Sequence, residues 1–226
     1  MDLSPSPPAP DFVEARNRMV DGQIRPNRVY DRRILAAMRD LPRERFVPPE
    51  LAARAYTDED VPLGDGRVLT EPLVIARLLQ SAAPVPGERG LVIGAGTGYG
   101  AALLAACGVD VTALEEDPRL LAIARAALAA CAPGVRLVEG RLAAGRAEGA
   151  PWDLIIIEGA VPAVPPEIAA QLRPQSGRLA TVLLSAGRTG QAIVAELTPA
   201  GLTSRPLFDC ATPALPQLAA NLGFTF

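Results

Sequence analysis

The 226-residue chain is predicted to be an α/β protein, in which a Rossmann-like core with a mostly parallel, seven-stranded sheet follows an N-terminal helical module. From about residue 88 onward, short apolar runs alternate with Ala-rich helical stretches, a pattern typical of a parallel sheet covered by helices on both faces. A glycine-rich loop follows the first apolar run, and such loops mark ligand sites in α/β sheets.

The predicted core elements follow from this alternation. The runs LVI and LIII are wholly apolar, so their strands are expected in the centre of the sheet. Asp117 followed by Pro118 predicts the start of a helix. Strands are predicted, in order, at GLVIG, VDVTALE, VRLVEG, DLIIIEG and GRLATVLL, with weaker candidates at QAIVAEL and GLTSRPLF; helices are predicted at YGAALLAACG, PRLLAIARAALAAC and PPEIAAQL.

We divide the chain into four regions. Residues 1–10 form a Pro- and Ser-rich leader, 11–87 a helical and substrate-loop module, 88–185 the ligand-binding core, and 186–226 the C-terminal strands that complete the sheet. In the N-terminal module helices are predicted at RRILAAMRDL, capped by Asp31, after the Pro pair of RFVPPELAARAY, and at LVIARLLQSAA. The stretch TDEDVPLGDGRVLTEP is predicted to be a turn-rich connector with its turn at residues 64–66.

Composition excludes several chemistries. The chain has no His, and all 22 of its basic residues are Arg, which removes Ser-His-Asp triads, HExxH zinc sites and Schiff-base lysines. The three cysteines are far apart and fit neither a disulfide framework nor a metal site, so we expect no metal and a reducing cytoplasm. A net charge of −3 argues against nucleic acid, and no run approaches the ~20 apolar residues of a membrane span.

The loop after the first core strand carries the sharpest chemical signal. Gly94, Ala95, Gly96 and Gly98 form a GxGxG pattern, which lets backbone N–H groups approach a ligand closely. Tyr99 stands where the dinucleotide fingerprint requires Gly or Ala, so the loop fits S-adenosylmethionine (SAM) better than a pyrophosphate. A glycine-rich turn without a ligand is the alternative.

Acidic residues after the next two strands support this site. Glu115 closes the second core strand, 21 positions after Gly94, where an acid accepts the ribose hydroxyls of an adenosyl ligand. Its neighbour Glu116 is the competing candidate. Glu139 and Gly140 follow the third strand and are expected near the adenine amino group.

Several blocks of the chain resemble the protein-L-isoaspartate O-methyltransferase family. They are LPRERFVP, AYTDED, VPLGDGRVLTEPLVIARLLQ, VIGAGTGYGAALLAA and APWDLIIIEGAVPAVPPEIAAQLRPQSGRL, which together span roughly residues 17 to 184 in the family's order. The resemblance implies methyl transfer from SAM to an isoaspartyl or D-aspartyl side-chain carboxylate in damaged proteins or peptides. It also implies that Thr70, in the substrate loop, is the catalytic-site residue.

The chain departs from the family pattern where chemistry is expected. Val92 replaces an acid that serves the amino end of SAM, which predicts weaker SAM binding. Thr70 and Glu71 stand where the family has Ser and Gln, and Glu158 stands where it has Thr. Glu71 and Glu158 would disfavour an acidic acceptor if both faced it, unless Arg67 neutralises Glu71.

The chemistry itself leaves three hypotheses open. A carboxylate is already a nucleophile at neutral pH, so its methylation requires positioning and desolvation and no general base, which a chain without His can provide. The first hypothesis is the isoaspartyl-type carboxyl methyltransferase. The second is a methyltransferase of the same fold with an amine or uncharged small-molecule acceptor, and the third is a SAM-binding protein without catalysis. Thr70 is alternatively a helix N-cap before Pro72.

Overall fold

The N-terminal module is built from short helices and one β-hairpin. A computed structural model describes residues 11–184 and 189–219, so the leader predicted at 1–10 lies outside the described residues. Strands β1 (Val61–Gly64) and β2 (Arg67–Leu69) form a two-stranded antiparallel sheet of their own. The helices of this module are α1 (Phe12–Arg18), α2 (Arg32–Asp40) and α3 (Pro72–Ala82), with a π-helical turn at Met19–Ile24 and 3₁₀ turns at Arg25–Asn27, Arg43–Phe46 and Pro49–Arg54.

The core is a single seven-stranded sheet, as predicted. Its first five strands in spatial order are parallel and its last two are antiparallel to their neighbours, in the order β5-β4-β3-β6-β7-β8-β9. The strands are β3 (Arg89–Ile93), β4 (Asp110–Glu115), β5 (Arg136–Glu139), β6 (Leu154–Val161), β7 (Arg178–Leu183), β8 (Gly190–Thr198) and β9 (Gly201–Cys210). The apolar runs of β3 and β6 lie in the interior of the sheet, which confirms the prediction made for them.

Helices cover both faces of this sheet. One face, which includes the Val92 side chain, is covered by α2, α3, α4 (Tyr99–Ala106) and α5 (Pro118–Cys131). The other face, which includes the Ile93 side chain, is covered by α6 (Pro166–Ala169), α7 (Pro216–Ala219) and a 3₁₀ turn at Leu142–Ala144. Because strand side chains alternate, adjacent residues of β3 serve opposite cores. No described helix is long and apolar enough to cross a bilayer, and the same residues contain no cluster of potential metal ligands.

Three local predictions were wrong. The short helix predicted after Pro48 and Pro49 is a 3₁₀ turn, Pro49–Arg54. PPEIAAQL forms only the four-residue α6. The connector contains the β1–β2 hairpin, whose short strands and internal Pro62 give almost no periodic signal.

Candidate active site

The glycine-rich loop connects β3 to α4 across the carboxyl edge of the sheet. Gly94, Gly96 and Gly98 all have positive φ, at 69°, 58° and 96°, which side chains adopt only at a cost. The backbone N–H groups of Gly94 and Ala95 donate to the Leu114 carbonyl at 3.0 and 3.1 Å, which anchors the loop to β4. The loop therefore has a fixed shape beside the end of β4.

Glu115 ends β4 beneath this loop and is fully buried. Its Oε2 accepts a hydrogen bond from the Gly96 N–H at 2.7 Å, and its Oε1 accepts from the N–H groups of Glu116 and Asp117 at 2.9 and 3.0 Å. The Arg67 guanidinium donates to both oxygens, at 2.9 and 2.7 Å. Five donors therefore surround the carboxylate that was predicted to bind ribose.

Arg67 brings the β1–β2 hairpin over the glycine loop. It begins β2, is buried, and its Nη2 also donates to the Gly94 carbonyl at 3.0 Å. Its partner is thus Glu115, and the predicted possibility that it neutralises Glu71 is wrong. The two residues are 48 positions apart in the chain, and nothing in the local sequence around Arg67 signalled this pairing.

Residues 213–216, called the C-terminal segment below, cover the glycine-rich loop from another side. The Ala160 N–H donates to the Pro213 carbonyl at 2.9 Å and the Leu215 N–H to the Ala160 carbonyl at 2.8 Å, so this segment lies along the end of β6. A Cβ atom built on Gly94 would lie 2.9 Å from Leu215 Cδ2, and one built on Gly66 would lie 3.2 Å from Pro216 Cγ. The C-terminal segment therefore contacts both the glycine loop and the hairpin turn.

The remaining predicted ligand contacts lie around this edge. Glu139 is exposed at the end of β5, and the Gly140 N–H donates to the Glu115 carbonyl at 3.0 Å. Glu116, the competing ribose candidate, accepts from the Leu142 N–H at 2.7 Å and so holds the loop after β5. Val92 is fully buried in the core beneath α4.

The predicted substrate loop is held by a residue that the sequence did not single out. Arg43 is fully buried and donates to the Ala55 and Thr70 carbonyls, both at 2.6 Å. The resemblance block LPRERFVP contained this residue, and that block was the available signal. Thr70 is buried, and the N-cap of α3 is Glu71, whose side chain makes no capping hydrogen bond, so the predicted capping role of Thr70 is wrong.

Glu71 remains a partly buried acid next to the substrate loop. Its backbone N–H donates to Asp60 Oδ1 at 2.7 Å. Burial, followed by the nearby Asp58 and Asp60, raises the pKa of the Glu71 carboxyl. Negative charge therefore accumulates on this side of the loop.

Glu158 lies where β6 becomes irregular, between Ile156 and Ala160. The residue is only partly exposed, and its Oε1 is buried and has no hydrogen-bond partner among the residues that the structure describes. Burial raises the pKa of Glu158 to about 8, although Arg67 and Arg43 act in the opposite direction. The Glu158 carboxyl is therefore neutral at pH 7 and adds no negative charge to the region in which the sequence analysis expected one.

Unpartnered polar atoms concentrate around the first turn of α4. The Arg43 guanidinium lies 4.6 Å from the centre of the Tyr99 ring. A Cβ atom on Gly100 would collide with the Glu158 carboxyl, so α4 passes directly beside it. Four of the six buried side-chain polar atoms without partners in the described residues belong here: Arg43 Nη1, Thr97 Oγ1, Tyr99 Oη and Glu158 Oε1.

Comparison with known proteins identifies relatives along most of this chain. The family model for protein-L-isoaspartate(D-aspartate) O-methyltransferase matches residues 14–193. A protein-L-isoaspartate O-methyltransferase of Methylorubrum extorquens is 42% identical over 196 residues, which cover 87% of this chain and 84% of the relative. One from Methanoregula boonei is 39% identical, with 80% of this chain and 82% of the relative covered.

Solved structures agree with the fold. A protein-L-isoaspartate O-methyltransferase superposes with a TM-score of 0.78 at 23% identity, covering 90% of this chain and 67% of its own. A Plasmodium falciparum protein described as a putative protein-L-isoaspartate O-methyltransferase, in complex with S-adenosyl-L-homocysteine, gives 0.75 at 16% identity and covers 92% and 99%. At these identities the likeness concerns the fold alone.

Proposed function

Because the chain belongs to the protein-L-isoaspartate(D-aspartate) O-methyltransferase family, we propose that it transfers a methyl group from SAM to the side-chain carboxylate of isoaspartyl or D-aspartyl residues. Its acceptors are damaged proteins or peptides, and its place is the cytoplasm. The observation that carries this proposal is the family match over residues 14–193, which includes the glycine loop, Glu115, Thr70 and Glu158.

The residues around the glycine loop include the types of hydrogen-bonding group that an adenosyl ligand requires. The loop presents its backbone on the edge of the sheet, and Glu115 offers the two-oxygen acceptor that a ribose requires. Glu115 is at present saturated by Arg67 and by three backbone N–H groups. The cradle therefore accepts the ligand only after Arg67 withdraws.

The proposed chemistry makes small demands on the protein. When bound, SAM would supply an electrophilic methyl group: an ionised acceptor carboxylate would form the new oxygen–methyl bond as the methyl–sulfur bond breaks and S-adenosylhomocysteine leaves, and no general base is required. The contribution of this chain is to position the acceptor and to exclude water from it. We assign positioning to the loop around Thr70, which Arg43 fixes through the Thr70 carbonyl.

In this proposal Glu71 repels an acceptor carboxylate more strongly than Glu158 does. Glu158 carries no charge at neutral pH because burial raises its pKa to about 8. Glu71 stands where the family has Gln, beside Asp58 and Asp60. An acceptor carboxylate near Glu71 is repelled by roughly 2–3 kcal/mol at 6 Å and an effective dielectric of 20, before screening by salt.

Two alternatives have an observation in their favour. The negative charge around Glu71 favours a same-fold methyltransferase with an amine or uncharged acceptor. Val92, which stands where the family has an acid for the amino end of SAM, favours a SAM-binding protein without catalysis, because a donor held by one polar contact fewer is less well positioned for methyl transfer.

Methyl transfer from radiolabelled SAM to an isoaspartyl peptide, with the matching aspartyl peptide as a blank, tests the proposal. We expect turnover on the isoaspartyl peptide only, and about a tenfold higher kcat/KM in Glu71→Gln. Glu50→Gln, a change at an exposed site on the 3₁₀ turn Pro49–Arg54, is the matched control and should leave kcat/KM unchanged. Binding of SAM without labelling of either peptide would refute the carboxyl acceptor and support the alternatives.

A further inference from the structure

The five donors around Glu115 leave no capacity for a ligand. A carboxylate has about four lone-pair sites, and here Oε1 accepts from three N–H groups and Oε2 from two. Three of these donors are backbone groups of the loop and of the β4 end, so their positions are fixed by the sheet. The other two donors are N–H groups of the Arg67 guanidinium, the only side chain within the described part of the chain that donates to Glu115.

Arg67 uses the carboxylate oxygens that a ribose would require. A ribose presents two hydroxyls to the two oxygens of one carboxylate, and Arg67 presents two N–H groups to the same oxygens, at 2.9 and 2.7 Å. The same guanidinium also reaches the Gly94 carbonyl at 3.0 Å, on the loop that would face the ligand. Ligand and guanidinium therefore require the same acceptors.

The hairpin that carries Arg67 is separate from the main sheet. Its strands have four and three residues and pair only with each other. Val61 and Leu69 at its base are buried, whereas Gly64, Asp65 and Gly66 at its tip are exposed. This arrangement permits the tip to lift while the base remains anchored in the core.

The C-terminal segment closes the site together with the hairpin. Leu215 packs on Gly94, and Pro216 packs on Gly66 at the hairpin tip. The two segments therefore form a continuous cover over the glycine loop. An opening of the tip breaks the Gly66–Pro216 contact together with the ion pair.

We propose that Arg67 is an internal competitor of SAM: the β1–β2 hairpin closes the site by ion-pairing with Glu115, and SAM binds only when the hairpin tip lifts. This inference rests on the proposed function. The apparent dissociation constant then equals the intrinsic one divided by the fraction of open molecules. Removal of the Arg67 side chain raises that fraction and frees Glu115.

Calorimetric titration with S-adenosylhomocysteine tests the competition without any turnover. We expect Arg67→Gln to bind it about tenfold or more tightly than the wild type. The control is Arg54→Gln, which removes one positive charge from an exposed pair with Glu59 away from the loop and should change affinity less than about twofold. Equal affinities of the wild type and Arg67→Gln overturn the competition while leaving the proposed function intact. Failure of both to bind overturns both.

A reversible lock tests the motion itself. A Cβ atom on Gly66 lies 3.2 Å from Pro216 Cγ, so the double variant Gly66→Cys/Pro216→Cys places two thiols within reach of a disulfide. We expect the oxidised form to lose affinity for S-adenosylhomocysteine at least about tenfold and to regain it on reduction. The reduced form of the same protein is the control for any strain at Gly66. Equal affinity before and after reduction overturns the proposed opening.

Discussion

Two acidic residues of the main sheet, Glu115 in β4 and Glu158 in β6, differ in the hydrogen-bond donors that surround their carboxyl groups. Glu115, at the end of β4, is fully buried but is bound by a guanidinium and three backbone N–H groups. Glu158, in β6, has a buried Oε1 without any partner, and burial raises its pKa to about 8. Burial alone therefore does not set the charge of a carboxyl group, because the donors within reach decide whether it ionises.

The difference in hydrogen-bond partners suits Glu115 and Glu158 to different roles. Glu115 is a charged acceptor whose partners include one exchangeable side chain, which suits reversible ligand binding. Glu158 is a neutral group beside Gly100 of α4 that changes charge just above physiological pH.

The largest effect is expected when Glu115 loses its charge. Glu115→Leu leaves Arg67 buried without a carboxylate, and we expect the free energy of unfolding to fall by about 3–5 kcal/mol, as for other broken buried ion pairs. Urea denaturation measures this. The double variant Arg67→Met/Glu115→Leu removes both charges and should recover the part of the loss that comes from the unpaired guanidinium. The N–H groups of Gly96, Glu116 and Asp117 lose their acceptor in both variants, so the recovery is partial. Additive losses in the double variant would mean that the two side chains do not stabilise each other.

The sequence predicts Glu115 but not its partner Arg67, because it reveals local patterns and the ion pair joins residues far apart in the chain. Glu115 was predicted from its position at a strand end, because strand alternation is a local pattern. Arg67 was placed in a turn-rich connector, and a turn rich in Gly and Asp carries no sign that one of its side chains is buried. Its role follows from a contact across 48 residues, which depends on how the hairpin packs and not on any local periodicity.

The same limit applies to Glu158. The sequence analysis placed it at the end of a central strand, but β6 continues to Val161, so Glu158 lies inside the strand. Its protonation state depends on α4 passing over it at Gly100 and on the absence of a donor within reach, and neither is encoded in the run DLIIIEG. The predicted repulsion from Glu158 at neutral pH is therefore replaced by a titration near pH 8.

An intermediate effect is expected from Glu158→Gln. The ordinary pKa of 4.5 rises to about 8 on folding, so the folded protein binds this proton more tightly than the unfolded chain. The free energy of unfolding should accordingly fall as the pH rises between these two values, by about 2–3 kcal/mol after allowance for partial exposure. Thermal unfolding between pH 5 and 8.5 should show that fall in the wild type.

Glu158→Gln removes the titrating proton, so it should flatten this pH dependence and unfold at a higher temperature than the wild type at pH 8.5. Glu50→Gln, at the exposed site used above, is the matched control and should follow the wild type within about 0.5 kcal/mol. A wild-type curve parallel to that of Glu158→Gln would show that Glu158 is ionised in the folded protein.

The smallest effect is expected at Arg119, which also contacts the hairpin but at the surface. It pairs with Asp65 at the hairpin tip and, at 2.9 Å, with Asp117, and more than half of its side chain is exposed. Exposed pairs contribute little because solvent screens them and ordering the side chains costs entropy. Arg119→Gln should therefore lower the free energy of unfolding by less than about 0.5 kcal/mol.

Asp117 makes two interactions, the surface ion pair with Arg119 and the N-terminal cap of α5, and substitutions can distinguish them. Its Oδ1 caps α5 by accepting from the Arg119 and Leu120 N–H groups, at 2.8 and 3.4 Å, and these bonds survive in Arg119→Gln because they involve the backbone. Asp117→Ala should instead cost about 1 kcal/mol, the usual value of an N-cap. If Arg119→Gln cost as much as Asp117→Ala, the hairpin tip would be held by its surface ion pair, and its opening would depend on Asp65 as well as on Arg67.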